Sequence, residues 1–269
     1  MQTSAIIDHI VNWLGNYAKQ ANAQGFIIGI SGGIDSALTS TLCAKTGLKT
    51  IAVSMPIHQK PDQLTRANMH MDWLKLNFSN VETLEVDLSP TFDTMRKSFP
   101  QNTGLHHLSM ANTRSRLRMV TLYAIGQSNG CLVAGTGNKI EDFGVGFFTK
   151  YGDGGVDLSP IADLTKTQVY HLCKHLHVIQ SIQEAKPTDG LWDIERTDEE
   201  QLGATYPELE WAMHYLEKNP DFTFDHAGTD LSIRQLETLD IYLKFHKANK
   251  HKMVAIPVCT IPQNLLIAK

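Results

Sequence analysis

The sequence predicts an α/β protein: a doubly wound, mostly parallel sheet flanked by helices. Three observations carry that expectation. The apolar run 26–30 meets Ser31-Gly32-Gly33, and Ile34, Ala37, Leu38, Thr41 and Leu42 then recur at helical spacing, which spells strand, tight loop, helix. The same alternation returns downstream through residues 48–89. A second apolar run, CLVAG at 131–135, has the composition of a buried fourth strand.

The elements follow in order. Ile6, Ile7, Ile10, Val11, Leu14 and Tyr17 recur every three or four residues, so the first twenty residues read as an amphipathic packing helix. Gly47 stops the helix after the loop, and LKTIAVSMP forms a second strand that ends at Pro56. Residues 61–77 are helical through Leu64, Ala67, Met71 and Leu74, and VETLEVDLS leads into a third strand. Residues 98–109, with Pro100, Gly104, His106 and His107, read as a mobile loop whose histidines are solvated. Asn112 opens a helix carrying Arg114, Arg116 and Arg118, which cannot all share one face. Pro160 and Asp163 lead into a helix through Leu164, Val169, Leu172 and Leu176. His171 and His175 on that helix have a metal-compatible spacing, but no HExxH motif accompanies them, and a partly exposed helix face is the plainer reading. Residues 187–198 read as a second mobile loop, helices resume at 198–203, 206–218 and 231–247, and the tail is extended and broken by two prolines.

Composition sets bounds. The chain has 269 residues, is 42% hydrophobic and 19% charged, and shows no repeat or linker, so a single domain over 1–269 is expected. A net charge of −4 gives no general pull toward nucleic acid or an anionic membrane. Four scattered cysteines without a CxxC pair argue against a disulfide framework or structural zinc and fit a reducing compartment. Neither a signal peptide nor a run of about 20 apolar residues is present, so the expected location is cytoplasmic.

Chemistry concentrates at the strand ends. Paired glycines let backbone N–H groups converge, and the following helix adds the positive end of its dipole, which suits phosphate. The lysine and spacing of a Walker A loop are absent. SGGIDS at 31–36 resembles instead the loop of the ATP pyrophosphatases, which cleave ATP between the α and β phosphates. On that resemblance the loop holds the leaving pyrophosphate and Asp35 holds magnesium. Thr136-Gly137-Asn138 turns the chain at the carboxyl end of the fourth strand, from where Glu141 can reach the same crevice as Asp35 and supply a second hard oxygen ligand. The glycine-rich YGDGG segment is a poor core sequence, either a flexible surface loop or one shaped around a ligand.

Further motifs narrow the family. GTGN followed by Glu141, then GFFTKYGDGGVD, SPI and LxK, KPT with TDEEQLG, and HK before a proline, together resemble the NAD synthetases in order from about Gly29 to Pro257. The resemblance implies an adenine nucleotide alpha-hydrolase-like fold and ammonia-dependent, magnesium-dependent amidation of deamido-NAD by ATP through an adenylate, giving NAD, AMP and pyrophosphate. It implies that Gly29, Ile30, Ser31, Gly32, Gly33, Ile34, Asp35 and Ser36 hold ATP with Thr136, Lys166 and Thr188. Asp35 and Glu141 would bind the metal. Lys150, Asp157, His251 and Lys252 match positions that hold deamido-NAD, with Asp157 a candidate for orienting the amine. Arg116 matches an arginine that reaches the dinucleotide from a neighbouring subunit, which implies a homodimer. Two departures stand out: one residue more between Glu141 and Lys150, and no alanine directly after Thr188. Only 28 residues precede Gly29, too few for a fused glutamine amidase, so free ammonia is the expected nitrogen source. Two other readings compete. A tRNA-modifying pyrophosphatase wants a basic face and often paired cysteines, and a non-catalytic nucleotide-binding module does not need Asp35, Glu141 and Lys166 intact.

Overall fold

The computed structural model describes residues 1–188, 197–224 and 230–266. Four parallel strands lie in the order β3-β2-β1-β4, with β1 at Gly25–Gly29, β2 at Lys49–Ser54, β3 at Val81–Glu85 and β4 at Cys131–Val133. Gly25 pairs with Lys49 on one side and with Cys131 on the other. The chain therefore winds outward from β1 in one direction and returns to add β4 on the opposite side. That reversal between β1 and β4 opens a crevice at their carboxyl ends.

Helices cover both faces because neighbouring strand residues point in opposite directions. Phe26, Ile28 and Ile30 pack with α1 (Thr3–Gln20), α2 (Ile34–Lys45), α3 (Pro61–Asn77) and α7 (Lys166–His175). Ile27, Ile51 and Val53 pack with α4 (Ser89–Ser98) and α6 (His107–Ser128). In α1 the buried residues are Ile7, Ile10, Leu14 and Ala18, the stripe its spacing predicts. Short helices α5 (Gln101–Gly104) and α8 (Gln180–Gln183) complete these layers. A third apolar cluster joins a π-helical turn at Ile140–Val145 to α9 (Asp198–Leu202), α10 (Tyr206–Lys218) and α11 (Ile233–Met253), and α12 (Gln263–Leu266) lies in the exposed tail.

Several boundaries differ from the sequence reading. Residues 98–109 are not a loop: α4 runs to Ser98, α5 takes up Gln101–Gly104, and α6 begins at His107, five residues before Asn112. The Arg96 Nε donates to the Gly104 carbonyl at 3.0 Å, and the His106 Nδ1 accepts from the Ser109 N–H at 3.2 Å as a helix cap. Pro100 and Gly104 thus separate helices here and do not dissolve them. α11 extends six residues past 247, fastened where Asn249 Nδ2 donates to the Val145 carbonyl at 2.8 Å. Most of the expected loop at 187–198, residues 189–196, lies outside the described residues. The three arginines of α6 do diverge: Arg114 is buried over the Phe92 ring at 4.8 Å, Arg116 is exposed, and Arg118 donates to the Met55 carbonyl at 3.0 Å. Among the described residues no helix is long and apolar enough to cross a membrane.

His70 on α3 has no solvent exposure; its Nε2 lies 2.9 Å from Ser40 Oγ and its ring stacks on Trp73. Burial holds its pKa down at about 4. The unfolded chain takes up that proton near pH 6.5, so between those values the unfolded state binds more protons and stability falls as pH falls. Urea unfolding should show about 2 kcal/mol lost between pH 7 and pH 5 from this group, and His70→Phe should flatten that slope. An unchanged slope in the variant would remove His70 as its source.

Candidate active site

The crevice at the switch between β1 and β4 contains a cavity of about 260 Å³, lined by the loops that follow β1, β2 and β4. The first is 29–36. Gly33 is the N-cap of α2 and carries no side chain to satisfy the first-turn amides, so they are left for an anion. Ser36 Oγ donates to the Gly33 carbonyl at 2.9 Å and lies 3.0 Å from Ser31 Oγ, which in turn accepts from the Gly33 N–H at 3.1 Å. Gly32 has φ +81°, and a Cβ there would stand 2.7 Å from the Gln63 carbonyl of α3. Both the turn and the close packing exclude a side chain.

Asp35 in the first turn of α2 meets Glu141 in the π-helical turn through one lysine. Lys166, buried at the start of α7, donates from Nζ to Asp35 Oδ2 at 2.5 Å and to Glu141 Oε1 at 3.0 Å. Burial by itself would favour the neutral amine, but the two carboxylates outweigh it and hold Lys166 firmly protonated. Burial raises the pKa of Asp35, against the pull of Lys166. Asn138 fixes the geometry: its Nδ2 donates to Asp35 Oδ1 at 3.3 Å, and its Oδ1 accepts the Ile140 and Glu141 N–H groups at 3.1 and 3.2 Å. A π-helical turn at this point swings Glu141 toward α2. Gly137 makes this possible, because a Cβ there would fall 2.1 Å from Asp142 Oδ1.

Asp142 and Asp153 also line the cavity, as do Arg66, Arg118 and Lys186. Asp142 is pushed up to about 8 by burial and then by the charges of Glu141, Asp153 and Asp35. Burial also raises Asp153, which accepts from Ser115 Oγ at 2.6 Å and from the Thr149 N–H at 3.0 Å, tying the YGDGG loop to α6. Asp35 and Glu141, two carboxylates that share the ammonium of Lys166, fit a divalent cation. Among the described residues no group of three or more His, Cys, Asp or Glu side chains that could hold a metal ion is found.

All eight loop residues 29–36, with Thr136, Glu141, Lys166 and Thr188, line this cavity. A second group gathers beside it. Arg116 donates to the Lys150 carbonyl from Nε and Nη2 at 3.3 Å each, and Lys150 Nζ donates to the His251 carbonyl at 3.1 Å. Lys252 Nζ donates to the carbonyls of Gly146 and Phe148, and lies 4.9 Å above the Phe148 ring at the cavity wall. Arg116, Lys150, His251 and Lys252, spread over 137 positions of sequence, thus form one basic patch.

Asp157 is placed differently. Its Oδ2 accepts the Val133 N–H at 2.8 Å, its own N–H donates to the Val133 carbonyl at 3.0 Å, and Oδ1 accepts from Tyr123 OH at 3.0 Å. It finishes the outer edge of β4, as a neighbouring strand would, and it is not among the cavity-lining residues. The sequence reading, conversely, passed over Asn138, Asp142, Asp153 and Tyr206. Asn138 sits inside the GTGN motif and could have been found as the residue that turns the chain; Tyr206 carries no local signal.

A parallel sheet with a glycine-rich phosphate loop at its switch point, facing acidic side chains across a buried lysine, defines a nucleotide-binding α/β protein of the ATP pyrophosphatase class. Comparison with known proteins narrows this. The chain belongs to the NAD synthase family, whose pattern it matches over residues 6–255. It is 38% identical over 210 residues to an NH(3)-dependent NAD(+) synthetase of Carboxydothermus hydrogenoformans, covering 78% of this chain and 83% of that one. A Methanosarcina acetivorans relative of the same name is 33% identical over 93% of this chain and 96% of its own. The solved structure of an NMN synthetase from Francisella tularensis superposes with a TM-score of 0.79 at 31% identity, over 98% and 99% of the two chains.

Gly32→Ala should cost about 1–3 kcal/mol from the positive φ, with a further loss from the clash with the Gln63 carbonyl, and should weaken ATP binding at least roughly tenfold by misplacing the loop amides. Calorimetric titration checks this; wild-type affinity in the variant would contradict the loop's role.

Proposed function

We propose that this protein converts the nicotinate carboxylate of deamido-NAD to the carboxamide with ammonia, consuming ATP and releasing AMP and pyrophosphate. The observation that carries the reading is the Asp35–Lys166–Glu141 bridge facing the glycine loop within one cavity. A carboxylate is a poor electrophile, because an amine attacking it would have to expel oxide. Attack of that carboxylate on the α phosphorus of ATP expels pyrophosphate and leaves an acyl adenylate. Ammonia then attacks the acyl carbon, AMP departs with the bonding pair, and the nitrogen loses one proton to solvent to leave the carboxamide.

The chain's own groups have assigned parts. Amides of 31–36 and the α2 dipole receive the leaving pyrophosphate, with Thr136 and Thr188 at the cavity wall. Lys166 supplies a fixed positive charge next to the phosphates. Asp35 and Glu141 would hold magnesium, which when bound neutralises phosphate charge and polarises the phosphoryl oxygens. The group of Lys150, His251 and Lys252 suits the phosphates of the pyridine nucleotide. On the family resemblance Asp157, held against β4 by the Val133 amide and Tyr123, orients the incoming amine. A homodimer in which Arg116 serves a neighbouring site rests on the family resemblance, and a cytoplasmic setting on the substrates.

A second reading has its own support. The Francisella tularensis likeness favours nicotinate mononucleotide, the acid form of NMN, as the acceptor. Pure protein with ATP, magnesium and ammonium should convert deamido-NAD with the higher kcat/KM; a preference for the mononucleotide would install the second reading, and AMP release independent of both would defeat each. Glutamine in place of ammonium should give little product. Asp35→Asn and Glu141→Gln should each lower kcat/KM by roughly 10²-fold or more, and near-normal rates in both would remove them from the site.

A further inference from the structure

Tyr206, the first residue of α10, belongs to the third apolar cluster and is 3% exposed, a place where a phenylalanine would pack equally well. Its hydroxyl therefore needs a reason. A buried phenol must find a partner, and the partners present are two carboxylates: Glu141 Oε1 at 2.5 Å and Asp198 Oδ2 at 3.3 Å. One O–H cannot serve both fully, and the short bond to Glu141 takes the proton. The ring has a second task, since Lys166 Nζ lies 4.6 Å from its centroid. Tyr206 thus touches both Glu141 and Lys166 from a helix that does not line the crevice itself.

The atom chosen matters. Lys166 and Tyr206 donate to the same oxygen, Oε1, which fixes the rotamer of Glu141 and leaves Oε2 for a cation. The same tyrosine is tied to the chain that follows the Thr188 segment: its N–H donates to Glu199 Oε1 at 3.0 Å, and the Asp198 N–H donates to the Pro187 carbonyl at 3.0 Å. We infer that Tyr206 is a positioning residue for the divalent cation: its hydroxyl holds Glu141 in register with Asp35, so that the two carboxylates present one binding seat. The inference rests on the reading of Asp35 and Glu141 as the metal pair.

The test is Tyr206→Phe, which keeps the ring packed and the cation–π contact while removing one hydroxyl. Manganese binding, followed by the electron paramagnetic resonance of the free ion in the presence of α,β-methylene ATP, should weaken by about tenfold, the range expected for a partner that orients a ligand. kcat should fall with the KM for the pyridine nucleotide unchanged, and the protein should stay folded, its ligand-free melting temperature lowered only by the loss of one buried hydrogen bond. In a Glu141→Gln background the same substitution should add nothing further. Wild-type manganese affinity in Tyr206→Phe, or a full additional loss in the Glu141→Gln background, would overturn the role. If Glu141→Gln by itself leaves manganese affinity intact, the metal reading of Glu141 fails, and this inference fails with it.

Discussion

One buried ammonium between two carboxylates organises this protein. Lys166 comes from the start of α7, Asp35 from the start of α2 and Glu141 from the turn after β4, so a single side chain ties together three elements that meet at the crevice. Enclosing these charges is expensive, and only mutual pairing with further hydrogen bonds offsets the cost. Asn138 and Tyr206 supply those bonds, to Asp35 and Glu141 respectively. Two carboxylates thus share one ammonium. In the proposed function that pairing suits a divalent ion bound with a polyphosphate.

The fold places these groups by topology before chemistry enters. Because β2 and β3 extend the sheet to one side of β1 while β4 is added on the other, the loops after β1 and β4 part and leave a gap, into which the N-terminal end of α2 points. Glycines keep that gap narrow and shaped: Gly32 lets α3 press against the phosphate loop, and Gly137 lets Asp142 fold beneath the turn. Helices α9–α11 close the far side around Tyr206 and bring Lys252 to the Phe148 wall. In the proposed function, phosphate chemistry and pyridine nucleotide recognition rest on different layers of the molecule.

Much of this is written locally in the chain. The strand, glycine turn and helix around 25–45 are legible because each signal lies within a few residues of the next, and so is the alternation that predicts a parallel sheet. The pairing of Asp35 with Glu141 could be anticipated because both follow strands whose ends must converge. The stretch 98–109 misled because Pro100 and Gly104 look like loop punctuation, whereas Arg96 and His106 supply the contacts that make them helix boundaries. Asp157 is named by the motif that follows the glycine-rich segment, while its hydrogen bonds to the Val133 amide and Tyr123, which place it at the edge of β4, carry no local sequence signal. Tyr206 could not be found at all from periodicity, because its partner lies 65 positions away.

The account stands most directly on where a cation settles. Diffraction from crystals grown with manganese and a non-cleavable ATP analogue should place the anomalous peak at about 2.1 Å from a carboxylate oxygen of each of Asp35 and Glu141, with phosphate oxygens filling other positions. A peak elsewhere, with both carboxylates still closed on Lys166, would contradict it.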